Sequence, residues 1–238
     1  MIGMYEPRRR ERPLTSLMFS PLAWLKLQYF CHAGKTEIAG FGITAKDDLL
    51  YVEEFLTVRQ RTSPVTVAMD DTAVADFSDR CVDAGLSPQR YLRVWCHTHP
   101  GSSPEPSGVD EATFERVFGF CDWAVMFIVS RAGKTFARLS FHVGPGGAMQ
   151  LPVSVDWSAW PSTVRNASGP MAMLSATWQA EYAANIHPIP EVFPASPVVS
   201  GPNAKTLGPA ADVWTELDQQ IWEEFEHHER TYCDDLRP

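Results

Sequence analysis

Two histidines separated by one residue, His97 and His99, close the run Tyr91-Leu-Arg-Val-Trp-Cys-His97-Thr-His99-Pro100. On a strand, side chains at i and i+2 project to the same face, so the two imidazoles can address one point. Imidazole nitrogen suits a divalent transition metal, zinc above all. Pro100 turns the chain away, and seven residues after His99 intervene before Ser107, with Asp110 three positions further on. Serine at this place is a helix N-cap, which puts the Asp110 carboxylate on the first helical turn. A loop of this size can fold back and bring that carboxylate to the metal. Two imidazoles and one carboxylate leave the fourth zinc position open, as in a hydrolytic site and unlike a closed structural one.

Hydrolysis at a metal also needs a group that carries a proton to the leaving group. Glu37 is the candidate, because it opens a strand interrupted by Gly40 and Gly42, where another backbone or a ligand can approach closely. Glu53 and Glu54 are rivals by composition but lack that setting. Ser107 is suited to hydrogen-bond the oxyanion of a tetrahedral intermediate. Taken singly these residues say little. A lone His-x-His pair is more often structural, Ser107 alone is a cap, and Asp110 alone is a carboxylate favoured by the helix dipole. Their combined spacing carries the argument. His32, His142, His187, His227 and His228 read as surface or core residues, with His227-His228 at most an adventitious metal pair.

The pattern His-x-His-x7-Ser-x2-Asp with an upstream glutamate resembles the signature of the JAMM (MPN-domain) zinc metalloproteases. The match holds at Glu37, His97, His99, Ser107 and Asp110, and Glu37-Ile-Ala-Gly40 is similar to the family's Glu-x-x-Gly surroundings. The resemblance spans about Pro21 to Trp157. It implies one zinc ion per chain on His97, His99 and Asp110, a water polarised by Glu37, and an oxyanion stabilised by Ser107. It also implies an α/β fold, a curved mixed β-sheet flanked by helices. The implied reaction is cleavage of a peptide or isopeptide bond, commonly at the C-terminal tail of a ubiquitin-like protein or its conjugate. No long insertion follows Asp110, which suits processing of a single ubiquitin-like protein more than cleavage of one ubiquitin-chain linkage. Two other functions stay open: hydrolysis of a small amide on the same scaffold, and a non-catalytic MPN scaffold subunit. The complete set of metal and base residues speaks against the scaffold.

The elements that must position these residues can be read coarsely. Residues 1–19 read as an irregular lead-in, 20–157 as the catalytic domain, and 158–238 as a C-terminal extension. Ser20-Pro21 opens a helix that stops near Gly34. Strands are expected over 36–43, 49–58 and 65–69, with 59–64 as a turn. Asp70-Asp71 cap a helix ending near Gly85, and Tyr91 to Cys96 is a strand running into the histidines. Trp123–Ser130 and Thr135–Val143 form a hairpin about Ala132-Gly133, followed by a turn at 144–147 and a strand within 151–157. Residues 171–184 read as a short helix, 186–209 as a Pro-rich extended stretch, and 211–232 as an acidic amphipathic helix that could dock on the domain or on a partner.

Bulk properties narrow the function classes. A net charge of −9 repels phosphate backbones, so no nucleic acid partner is expected. No apolar run approaches membrane-spanning length, so no membrane partner is expected either. The five cysteines are scattered and odd in number, which argues against a disulfide framework and for a cytoplasmic setting.

Overall fold

The computed structural model describes residues 15–160 and 170–189. All described residues belong to one compact unit. The acidic helix expected over 211–232, most of the Pro-rich stretch and residues 1–14 of the expected lead-in lie outside the described residues.

The chain runs β1 (Leu17–Phe19), α1 (Pro21–Ala33), β2 (Ile38–Thr44), β3 (Tyr51–Leu56), β4 (Gln60–Thr62), β5 (Val67–Met69), α2 (Asp71–Asp83), α3 (Pro88–Tyr91), β6 (Val94–His99), α4 (Gly108–Phe118), β7 (Trp123–Ser130), β8 (Thr135–Phe141), β9 (Gly147–Gln150), β10 (Val153–Val155), α5 (Pro170–Asn185) and β11 (Ile186–Pro188). Eight strands form one sheet in the order β10-β1-β3-β2-β6-β7-β8-β9, and β11-β4-β5 form a second. The large sheet is mixed, since β6 is antiparallel to β2 and parallel to β7. It is also curled. β9 and β10 lie at opposite ends of the strand order, yet only Leu151 and Pro152 separate them in the chain. The Leu151 N–H donates to the Ala137 carbonyl at 2.9 Å and the Leu17 N–H to the Pro152 carbonyl at 3.0 Å, so these two residues bridge the edges.

Helices cover both faces, and alternation along the strands decides what each face carries. Val94 and Cys96 of β6 join Phe19, Leu27, Phe30, Phe55, Val125 and Phe127 in the core beneath α1. Trp95 joins Phe41, Phe77, Phe114, Met126 and Ile128 in the core beneath α2 and α4. His97 and His99 share the parity of Trp95, so they emerge on the α4 face.

Local chemistry explains the helix starts. The Ser20 hydroxyl accepts from the Ala23 N–H ahead of Pro21, and the Asp70 carboxylate accepts from the Ala73 N–H. The β7–β8 hairpin turns at Gly133, whose φ of +76° is costly for any residue with a Cβ.

Several boundaries differ from the sequence reading. Leu17–Phe19, expected to be irregular, pairs in parallel with β10 and β3. Gln60–Thr62, expected within a turn, forms β4, because the buried side chains of Gln60 and Thr62 flank an exposed Arg61. The residues are polar, so their period of two is invisible to a hydrophobic pattern. Pro88–Tyr91 is helical, and β6 starts only at Val94 and extends through both histidines. At the far end, α5 packs on α1 through ring contacts of Tyr29 with Trp178 and of Phe30 with Tyr182, both 5.8 Å between centroids. Trp178 and Ile186 belong to the α1 core, so residues 170–188 share the core of the preceding domain.

Candidate metal centre

β6 delivers His97 and His99, and α4 delivers Asp110. Ala39 of β2 stands directly opposite His97 in the antiparallel register, which places Glu37, two residues earlier, beside His99. The Nε2 atoms of His97 and His99 lie 3.2 Å apart. Oδ1 of Asp110 is 3.2 Å from Nε2 of His97, and Oδ2 is 3.5 Å from Nε2 of His99. Ligands on tetrahedral zinc with bonds of roughly 2.0–2.1 Å stand roughly 3.3–3.4 Å from one another. The two imidazole nitrogens stand at about that spacing from each other, and each stands near it from one oxygen of the Asp110 carboxylate. Each offers a ligand atom, all within 4.8 Å of one another, and among the described residues this cluster could hold a metal ion. The donors discriminate against hard cations such as magnesium, which take oxygen ligands, and suit zinc or a similar ion.

Neighbouring groups fix each donor. Nδ1 of His99 is 3.0 Å from the Ser103 carbonyl, an acceptor only, so the proton belongs on Nδ1 and the Nε2 lone pair faces inward. The His97 ring lies against the Trp95 indole, with centroids 4.4 Å apart and planes 30° from parallel. Trp95 is itself packed on Phe114 and Phe118 of α4. Nδ1 of His97 is buried without a protein partner. Asp110 is held by a capping box: the Ser107 N–H donates to Oδ2 at 2.7 Å, and the Asp110 N–H donates to Ser107 Oγ at 3.2 Å. The cap uses Oγ as acceptor, which leaves the exposed Ser107 hydroxyl a proton to donate. Next along α4, Glu111 takes two hydrogen bonds from the Arg138 guanidinium, at 2.7 and 2.6 Å.

Glu37 is buried, with Oε1 at 3.8 Å from Nε2 of His99. Burial pushes its carboxyl up to about 8; His99 opposes the shift and Asp110 adds to it. Burial raises Asp110 too, but its hydrogen bonds to both imidazoles outweigh that and hold it well below the usual carboxylate range. Burial lowers His97. Burial also pulls on His99, but Asp110 and Glu37 win and raise it. A cavity of about 10 Å³ opens beside the cluster, between Glu37, His97 and Asp110 on one side and Thr66, Val67 and Trp95 on others. That is about the room one water molecule needs.

The structure thus brings together four of the five residues singled out by spacing and leaves Ser107 as the cap beside them. Trp95 and the Ser103 carbonyl contact the cluster without any sequence signal that marks them. No protein-family model matches the chain, and no curated protein matches it. Among the described residues, no helix is long and apolar enough to cross a membrane.

Proposed function

We propose that this chain is a zinc-dependent peptidase or isopeptidase of the JAMM type, acting at the C-terminal tail of a ubiquitin-like protein. One observation carries the reading: His97, His99 and Asp110 converge so that one donor atom from each lies within 4.8 Å of the others, with a buried carboxylate, Glu37, 3.8 Å from His99. The resemblance of the motif supplies the substrate class.

His97, His99 and Asp110 are the residues that would hold zinc. When bound, zinc polarises a carbonyl and lowers the pKa of water. Glu37 works as the proton carrier: its carboxylate accepts a proton from the attacking water and delivers it to the departing amine. Burial suits it to both halves of that task, because it moves the carboxyl from the acidic range toward neutral pH, where the group can both take up and release a proton. Ser107 donates its hydroxyl proton to the oxygen that gains charge as the carbonyl becomes tetrahedral. Trp95 and the Ser103 carbonyl keep the two imidazoles aimed, so little reorganisation is required at the moment of reaction.

The test combines metal content with turnover. The purified chain should carry about one zinc and cleave ubiquitin, or another ubiquitin-like protein, bearing a C-terminal peptide extension. Glu37→Gln should keep the zinc and lose at least ~10²-fold in kcat. His97→Ala should lose both. Full activity in Glu37→Gln would refute the base assignment, and a wild-type chain with no affinity for zinc would end the hydrolase reading.

A further inference from the structure

Gln60 is an unusual residue to find fully buried, at 1% exposure, in a short strand. Its side-chain amide is fully engaged with backbone. Oε1 accepts from the Ala39 N–H at 2.9 Å, while Nε2 donates to the Ala39 carbonyl at 2.7 Å and to the Val58 carbonyl at 2.9 Å. A donor and an acceptor engaging the N–H and C=O of one residue reproduce what a neighbouring strand would provide.

The need for this substitute is topological. β3 pairs with β2 only from Phe41 onward, and the chain leaves the sheet after Leu56. Gly40 sits at the parting point, where a Cβ would lie 2.3 Å from the Leu56 carbonyl oxygen. Residues 37–39 would otherwise have no strand on that side. Alternate peptide groups of a strand face opposite neighbours, and the contacts here follow that rule. The Ile38 N–H meets Thr98 Oγ1 of β6 at 3.1 Å. The Glu37 N–H, facing the other way, meets the Ser63 carbonyl at 2.8 Å, and Ala39 meets Gln60. Ala39 is also the residue opposite His97. Gln60 therefore braces the backbone two residues beyond Glu37, at the position opposite the metal-ligand candidate His97. β4 is itself paired on both sides, by β5 and by β11.

We infer that Gln60 is a positioning residue for Glu37: it sets the path of the backbone from Glu37 to Ala39, and through it the placement of the Glu37 carboxylate. The inference rests on the hydrolase reading for its kinetic consequence and on the backbone hydrogen bonds for its structural one. Displacing a reacting group by about 1 Å can cost roughly 10²-fold in rate. The hydrogen bonds of the Gln60 side chain go to Ala39 and Val58 and not to the metal donors, so zinc binding should be spared.

The experiment is a double-mutant cycle on the full chain, with Gln60→Leu and Glu37→Gln singly and together. It is assayed on ubiquitin with a C-terminal peptide extension, alongside zinc affinity by chelator competition and amide hydrogen exchange at Glu37 and Ala39. Gln60→Leu should lower kcat by roughly 10–100-fold, leave KM and zinc affinity within about threefold, and speed exchange at both amides by at least about tenfold. In the Glu37→Gln background it should cause almost no further loss, because the group it positions is already disabled. Gln60→Glu, which can accept from Ala39 but no longer donates, should show the same pattern more weakly and serves if Gln60→Leu does not fold. An unchanged kcat, a full additional loss in the Glu37→Gln background, or a drop in zinc affinity as large as the drop in kcat would overturn the inference. If the wild-type chain cleaves nothing, the hydrolase reading falls on its own. Exchange at Glu37 and Ala39 then decides the bracing, and unchanged rates in Gln60→Leu would reject it.

Discussion

At the residue scale, the buried Glu37 carboxyl has a consequence for stability that does not depend on turnover. Its pKa rises from 4.5 to about 8 in the folded, metal-free chain. A raised folded-state pKa means that the native state binds the proton more tightly than the unfolded state. The favourable contribution is complete below about pH 4.5 and is lost as pH rises toward 8. Glutamine has the same shape and never ionises. With zinc removed by a chelator, Glu37→Gln should therefore gain stability over wild type across pH 4.5–8, reaching on the order of a few kcal/mol at the upper end. Parallel denaturant titrations at pH 5 and pH 8 would measure the gap, and a gap independent of pH would show that Glu37 is not buried as described. The meeting of His97, His99 and Asp110 was legible in the sequence from residue type and spacing, and the place of Glu37 beside them from its glycine-interrupted strand. Trp95 and Gln60 were not. An aromatic before a histidine and a glutamine in a polar hexapeptide acquire their roles only when strands distant in the chain come together.

At the scale of elements, Ser107 has two separable duties. As N-cap it closes the first turn of α4 and fixes Asp110 through the reciprocal hydrogen bonds of the capping box. As a hydroxyl it is the proposed donor to the oxyanion. Glycine is a tolerated N-cap, costing only a few tenths of a kcal/mol relative to serine, but offers no side-chain donor. Ser107→Gly should thus hold its melting temperature to within about 2 °C and lose roughly 10²–10³-fold in kcat. Ser107→Ala should lose roughly 1 kcal/mol of stability as well. A Ser107→Gly protein with wild-type kcat would reduce Ser107 to a cap. The helix starts at Ser20, Asp70 and Ser107 were legible because capping is local chemistry. β1 and β4 were not, since three residues carry too little pattern to separate a strand from a turn. Their pairing comes from β10, β3, β5 and β11, all remote in sequence except β5.

At the scale of the whole molecule, the sequence reading set a domain edge between residues 157 and 158, while α5 and β11 supply buried side chains to the core in front of that edge. The tie is partly ionic. Lys26 of α1 is buried, with Nζ at 2.6 Å from Glu181 Oε2 of α5 and 3.8 Å from Glu54. The other Glu181 oxygen accepts from both the N–H and the hydroxyl of Thr57, and Asn185 donates to the Thr57 carbonyl. One glutamate thus joins α1, α5 and the segment that leads into β4, where Gln60 braces Ala39. Glu181→Ala would leave a buried ammonium with only the distant Glu54 for compensation. Breaking a buried pair on one side costs about 3–5 kcal/mol. With Glu54 still near, about 2–4 kcal/mol is the expected loss, a fall in melting temperature of roughly 5–15 °C for a domain of this size. Adding Lys26→Met should restore much of it, because removal of both charges leaves no unpaired ion in the core. Calorimetry on the wild type and the two variants measures both effects. An unchanged melting temperature in Glu181→Ala would mean that α5 is held by its apolar face alone. A double variant as unstable as the single one would mean that the loss came from Thr57 and its freed backbone N–H.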